Sequence, residues 1–438
     1  MERYPILYWL SPETLDRNAL QQIADCGFTR IPVPGTPERI REVASVCVEL
    51  GLEVIAEDGR IAQAVSAGCE ETRRALLENV VSDYKDCPAI KSYHVVDEPH
   101  ASAFPALGAV CRILEELDPA REPYINLFPN YANRDQLGND TYAQHVADYV
   151  RIVHPQIVSY DHYHFHNREM GAVKKPKFTD KREEAIWENA NSGGIAAAPA
   201  DGNAVGTHGG NAADLHLKPL KPQQGGAFFD NLEVIRNAAR SNGLPFMNIV
   251  LLVEHGCYRD VSEAELRFEV FQTLAYGAAR ISYFTYGALP FEPTWKWRGG
   301  CVTVEGNKTR HYYDVKRINR DIFYLGQHIQ STNSTNVLHI GKEADKLVSY
   351  YTPQEPIEGI TASTGLTLGF FEDGSVLLAN KDYFTVNRVN LTLSAGHAIQ
   401  VLDKSTGEWY ALPPVTDTGN RFAFTLMPGD GELITMNQ

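Results

Sequence analysis

The sequence predicts a (β/α)8 barrel followed by a small antiparallel β-sandwich. Three observations carry that prediction. Apolar runs of four to eight residues alternate with segments of helical period up to about residue 330, the signature of βα units around a parallel sheet. The alternation yields eight strand and helix pairs, the number that closes a barrel. From about Thr332 the pattern changes to short alternating strands separated by turns such as Glu372-Asp373-Gly374, Ser405-Thr406-Gly407 and Pro428-Gly429-Asp430-Gly431. The 438 residues therefore divide into a barrel over 1–331 and a β-sandwich over 332–438.

In chain order, the barrel strands are expected at Ile6–Leu10, Phe28–Val33, Leu52–Ala56, Ala89–Val96, Pro123–Leu127, Ile157–Tyr160, Pro245–Val253 and Arg280–Thr285. Helices are expected at Pro12–Cys26, Pro37–Leu50, Glu70–Tyr84, Ala106–Leu117, Tyr142–Val153, Phe228–Ser241, Glu263–Tyr276 and Tyr312–Leu325. Gly27 and Gly51 stand where glycine closes a helix. A stretch at about 165–226 lacks apolar period and carries Gly-rich pieces, so it reads as a long loop at the barrel mouth. The sandwich strands are expected at Val337–Ile340, Leu347–Tyr351, Val376–Ala379, Asn390–Leu393, Ile399–Leu402 and Phe422–Leu426.

Composition excludes several classes of partner. A formal charge of −15 and 43% hydrophobic residues describe a packed acidic protein without the basic footprint that nucleic acid or an anionic membrane requires. No run approaches the apolar length of a membrane span. The seven cysteines show no CxxC pair, so no zinc site is expected, and a reducing compartment suits them. The first residues lead straight into a strand, without the charged and apolar regions of a signal peptide. A cytoplasmic location is expected on that basis, and a secreted or periplasmic one if a signal was removed.

Barrel enzymes place their chemistry at the C-terminal ends of the strands. The polar residues expected there are Arg30, Glu57, Asp58, Asp97, Glu98, Asn126, Asn130, Asp161, His162, Tyr163, His164, Glu254, His255, Tyr283 and Tyr286. The fourth strand stands out, because its apolar run stops abruptly at Asp97-Glu98-Pro99. Glu98 and Glu254, at the ends of strands four and seven, would face one another across the mouth. Two carboxyl groups so placed are what glycosidic bond cleavage uses, about 5 to 5.5 Å apart for retention and about 6.5 to 9.5 Å for inversion. The Asp161-His162-Tyr163-His164 cluster cannot bind one metal ion with all four side chains, because successive strand residues alternate faces. Trp295 and Trp297 could stack on a sugar ring.

The Asp97-Glu98-Pro99 ending resembles the Asn-Glu-Pro of clan A retaining glycoside hydrolases. Gln272 to Ala278 with Ile281 to Thr285, and Asn307-Lys308-Thr309 with Tyr313, Ile318 and Asn319, resemble the beta-galactosidase-like branches. The resemblance implies Glu98 as acid/base, Glu254 as nucleophile, a carbohydrate substrate and no cofactor or metal. It implies sugar contacts from Asp97, Arg30, Asn126, Asp161, His162, His164, His255, Tyr283, Tyr286, Trp295 and Trp297. The sequence departs from that clan in having Asp97 where it has Asn, and tyrosines where its eighth strand commonly has Trp. Two other readings stay open: a carbohydrate-binding barrel without catalysis, and a lyase or isomerase using His162 or His255 as base.

Overall fold

The computed structural model describes residues 3–166, 228–290, 295–341, 345–415 and 419–437. The expected loop at about 165–226 lies almost entirely outside the described residues. Eight parallel strands close a barrel: β1 (Ile6–Trp9), β2 (Arg30–Pro34), β3 (Glu53–Glu57), β4 (Ile90–Asp97), β5 (Glu122–Leu127), β6 (Val158–His162), β7 (Phe246–Leu251) and, after a two-residue strand β8 (Val253–Glu254), β9 (Arg280–Phe284). Helices follow them with sequence-encoded ends. Thr36 caps Pro37–Leu50 and Gly51 closes it at φ 67°. Ser262 and Glu265 form a capping box at the start of Glu263–Ala275. The first helix starts at Arg17 rather than Pro12, because Asp16 accepts the Ala19 N–H at 2.8 Å and fixes the start there.

The barrel interior is layered. Arg30, Glu53, Glu122 and Arg280 open β2, β3, β5 and β9 and pair at the floor: Arg30 to Glu53 at 2.6 Å, and Arg280 to both Glu122 oxygens at 2.6 and 2.8 Å. Leu7, Ile55, Tyr124, Ile157 and Met247 form the apolar layer, with Trp9 packed on it. Burial and charge neutralisation thus leave the polar space at the strands' C-terminal ends, as in other barrels of this kind.

The apolar run 245–253 is not one strand. It breaks at Leu252 into β7 and β8, and β8 pairs antiparallel with β10 (Arg298–Gly299). The sandwich comprises a six-stranded and a three-stranded sheet. Ile357–Ala362, Leu366–Phe371, Trp409–Leu412 and Gly431–Asn437 are strands beyond those expected. Leu347–Tyr351 forms no strand; it touches the sheet through one bridge, Tyr350 to His339, and leaves Leu347 and Tyr350 exposed. The sandwich sits against the helix Glu263–Ala275 and its end, where Tyr276 Oη and His339 Nε2 are 2.9 Å apart and Gln272 Nε2 donates to the Asn380 carbonyl at 3.1 Å. Among the described residues no helix is long and apolar enough to cross a membrane.

Candidate active site

The site is built on an irregularity at the end of β4. Successive strand residues point to opposite faces, yet Asp97 and Glu98 both line one cavity at the barrel mouth. Two features achieve this. The β4–β5 register shifts between His94 and Val96, and Glu98 adopts φ 45°, the left-handed region that a non-glycine residue enters at a cost of about 1–3 kcal/mol. The Glu98 N–H donates to the Asn126 carbonyl at 2.9 Å, which holds the turned backbone in place.

Asn126 organises the carboxylates. Its Nδ2 donates to Asp97 Oδ1 and to Asp161 Oδ1, each at 3.1 Å. Its Oδ1 accepts from Ser159 Oγ at 2.9 Å, and Ser159 Oγ lies 3.1 Å from the Tyr124 hydroxyl. All three supporting residues sit on β5 and β6 and are buried. The amide orientation therefore follows from the barrel framework, with both donated protons aimed at carboxylate oxygens.

Glu98 and Asp161 both line the cavity and bear on one another's protonation. Burial, followed by the negative charges of Asp161 and Asp97, pushes Glu98 well above the usual carboxyl range. Asp161 is pushed up to about 7 by burial and by the charge of Asp97, while its bond from Asn126 opposes the rise. The proton of the pair thus belongs on Glu98. Glu57, at the end of β3, is also pushed up to about 7, by burial and the charge of Asp97.

The cavity measures about 190 Å³. Across the barrel from β4, strands β9 and β1 present Phe284 and Trp9, and the loop after β9 presents Trp295. Trp9 is held edge-on to His94, with ring centres 5.5 Å apart. Tyr131, Tyr163, Tyr258 and His255 also line the cavity. Tyr258 donates to the Tyr131 hydroxyl at 3.2 Å, and His255 Nδ1 lies 2.8 Å from the Val253 carbonyl, which fixes the ring's direction.

Of the expected residues, the fold brings Asp97, Glu98, Asn126, Asp161, Tyr163, His255 and Trp295 to this cavity. It sends others elsewhere, for reasons of strand phase. Arg30 opens β2 and pairs with Glu53 at the barrel floor. His162 follows Asp161 and so points outward, where its Nδ1 lies 3.0 Å from Asn231 Oδ1. His164 packs among Phe165, Phe228 and Phe268. Tyr283 points outward and donates to Asn319 Oδ1 at 3.0 Å, and Tyr286 stacks on Tyr8. Trp297 packs behind the mouth against His255, ring centres 4.7 Å apart. Glu254 lies on the β8–β10 ribbon opposite Arg298, and its neighbour His255 takes the cavity position.

Asp58 caps the helix Gly59–Val65 and binds Arg60 and the Tyr84 hydroxyl, a structural use of its charge. The Asn130 backbone N–H donates to Asn231 Oδ1 at 2.9 Å. Sequence reasoning missed Trp9, Tyr131, Tyr258 and Phe284. For Trp9 a signal existed, since it ends the first strand in phase with Leu7. Among the described residues, no group of three or more His, Cys, Asp or Glu side chains is disposed to hold a metal ion.

Comparison with known proteins supports the fold. No protein-family model matches the sequence, and no curated protein matches it. Among solved structures, a protein described as a glycoside hydrolase superposes with a TM-score of 0.53 at 10% identity, covering 99% of this chain and 91% of that one. A glycoside hydrolase family 5 protein from Bacteroides vulgatus superposes with a TM-score of 0.53 at 9% identity, covering 99% of this chain and 88% of that one. A beta-galactosidase from the psychrophilic Marinomonas ef1 gives a TM-score of 0.47 at 10% identity; 75% of this chain is covered, and it spans 62% of that enzyme's length.

Proposed function

We propose that the barrel mouth hydrolyses a glycosidic bond, with Glu98 as the proton donor to the leaving oxygen. The observation that carries the reading is the environment of Glu98: a carboxyl that keeps its proton because it is buried and, after that, because two further carboxylates, Asp161 and Asp97, line the same cavity. A general acid needs that property near neutral pH. The aromatic faces of Trp9 and Trp295 offer the apolar surface on which the C–H face of a sugar ring packs. The fold is shared with structures described as glycoside hydrolases, which makes a carbohydrate substrate the natural first choice.

Glu254 was expected to act as nucleophile. Because it stands on the ribbon and not among the cavity-lining residues, the reading gives it no part in the attack. Asp97, Asn126, Asp161, His255 and Trp295 are the proposed substrate contacts. A panel of aryl glycosides tests the reading: hydrolysis of at least one, reduced about 10²–10⁴-fold in kcat/KM by Glu98→Gln, is expected. Activity unchanged in Glu98→Gln, or no hydrolysis across sugars and anomers, would remove it.

A further inference from the structure

His255 is the residue that the break after β7 brings to the cavity. The chain leaves the barrel at Leu252, pairs through Val253 and Glu254 with Gly299 and Arg298, and turns at once. The His255 N–H donates to the Tyr258 carbonyl at 3.1 Å, the Tyr258 N–H donates to the His255 carbonyl at 2.8 Å, and the Gly256 N–H donates to the Trp295 carbonyl at 2.7 Å. These backbone bonds fix where the ring starts. The residue is 4% exposed and lines the cavity.

The side chain is held as firmly. Its Nδ1 lies 2.8 Å from the Val253 carbonyl, which only accepts, so Nδ1 carries a proton. In the neutral ring the lone pair is then on Nε2, at the other side of the imidazole. Trp297 stacks on the ring, with 4.7 Å between centres and 22° between planes. A histidine serving only as core packing has no need of a place at a cavity. Here the ring shares a wall with Phe284 and Trp295, its centre 5.2 and 6.2 Å from theirs. Phe284 ends β9, which stands diametrically across the closed barrel from β4, so that wall faces the strand end that carries Glu98.

An inverting glycosidase needs a base on the face of the sugar opposite its acid, to activate the attacking water. That base is a carboxylate in most such enzymes, and imidazole is the commonest side chain for the same proton transfer elsewhere. We propose that His255 is the general base of an inverting hydrolysis, its Nε2 taking a proton from the attacking water while Glu98 protonates the leaving oxygen from across the cavity. The proposal rests on the glycosidase reading of the cavity. The water oxygen bonds to C1 of the sugar while the bond from C1 to the leaving oxygen breaks. That bond's electron pair goes to the leaving oxygen, which takes the Glu98 proton, and the water proton goes to Nε2. The sugar is released with inverted configuration. Glu98 is left as a carboxylate and His255 as an imidazolium; solvent then returns a proton to the first and takes one from the second. The Val253 carbonyl, already bonded to Nδ1–H, stabilises the positive charge as it develops on the ring.

Proton NMR of the first-formed sugar, with an aryl glycoside that the unaltered protein cleaves, tests the stereochemistry, and inversion is expected. The glycosyl fluoride that gives the same product tests the roles, because fluoride departs with little help from an acid. Glu98→Gln is expected to keep most of its activity on the fluoride. His255→Asn, whose amide nitrogen still reaches toward the Val253 carbonyl, is expected to lower kcat about 10²–10⁴-fold on fluoride and aryl glycoside alike, with KM little changed. Retention of configuration would overturn the proposal and leave the glycosidase reading standing. So would a His255→Asn effect confined to KM, or a loss on the fluoride in Asp97→Asn or Asp161→Asn that His255→Asn does not share. No hydrolysis of any glycoside or fluoride would overturn both.

Discussion

Glu98 and Asp161 act on one another although they come from strands β4 and β6 and are separated by β5: the negative charge of Asp161 helps burial to hold the proton on Glu98. Asn126, on the strand between them, donates to Asp161 Oδ1 at 3.1 Å. The relationship makes a pH prediction. In the proposed role Glu98 must be protonated, so the alkaline limb of kcat/KM is expected to follow its raised pKa, with activity falling as pH rises through that value. Burial and then the Asp161 charge are the first causes of the rise. Asp161→Asn removes the charge, so the alkaline limb is expected to move to lower pH. A pH profile of kcat/KM against the unaltered protein checks it, and an unmoved limb would mean Asp161 does not set the acid.

The same burial predicts an effect of opposite sign on stability. A carboxyl whose folded-state pKa lies above its unfolded value keeps its proton when folded and releases it when unfolded. Its contribution is full below the ordinary value of 4.5 and is lost as pH rises toward the folded-state value. Glu98→Gln abolishes this loss and keeps the shape. The variant is expected to melt higher than the unaltered protein, with the gain in Tm growing from pH 5 to pH 8. Thermal melts at both pH values measure it. A site that gains stability as it loses activity is the trade expected where like charges are packed for chemistry.

How much of this could be read in the sequence follows from phase. The eight strands were legible because each is an apolar run bounded by turn or cap residues, and the Asp97-Glu98 ending was legible because acids interrupt such a run. What faces the cavity was harder. Asp161 and His162 are neighbours, and only strand phase decides that the first enters the mouth while the second meets Asn231. The Glu98 backbone turn defies the alternation rule altogether, since nothing in the residue types announces φ 45°. Glu254 was misplaced because Leu252 looks like the interior of a strand, whereas the chain leaves β7 there to form the ribbon with Arg298. Trp9 is apolar, so its residue type does not mark it as a site residue, and only its phase with Leu7 aims it at the barrel interior.

The barrel floor yields a second stability prediction. Arg280 makes two bonds to Glu122, whose carboxyl stays below its ordinary range; burial pushes it up, but the charge and bonds of Arg280 and the charge of Arg30 outweigh that. Arg280→Ala leaves Glu122 without its partner and is expected to cost about 3–5 kcal/mol. The pair Arg280→Met with Glu122→Met replaces two charges by apolar side chains and is expected to recover most of that loss. Urea unfolding of the three proteins checks the ordering. In the unaltered protein the depressed Glu122 pKa contributes stability above the ordinary value of 4.5, lost as pH falls through the folded-state value. The double variant should lack that acid sensitivity.

The contact between barrel and sandwich gives the last prediction. Gly369 lies in the strand Leu366–Phe371 with its Cα against the Ala275 carbonyl at the end of the helix Glu263–Ala275, and a Cβ there would collide with that backbone oxygen. Backbone cannot yield as the end of a flexible side chain can, so Gly369→Ala must lift the sheet from the helix. The bond from Gln272 to the Asn380 carbonyl and the contact of Tyr276 with His339 would be strained or broken with it. Overpacking of this kind costs about 1–3 kcal/mol. The expected result is a lowered Tm and faster proteolytic cutting between Gln330 and Ser334, where the barrel's last helix gives way to the sandwich. Glu98 lies in the cavity at the other side of the barrel wall from this contact, so its pH limb should stay where it was. A shifted limb in Gly369→Ala would show that the sandwich positions the carboxylates as well as covering the helix.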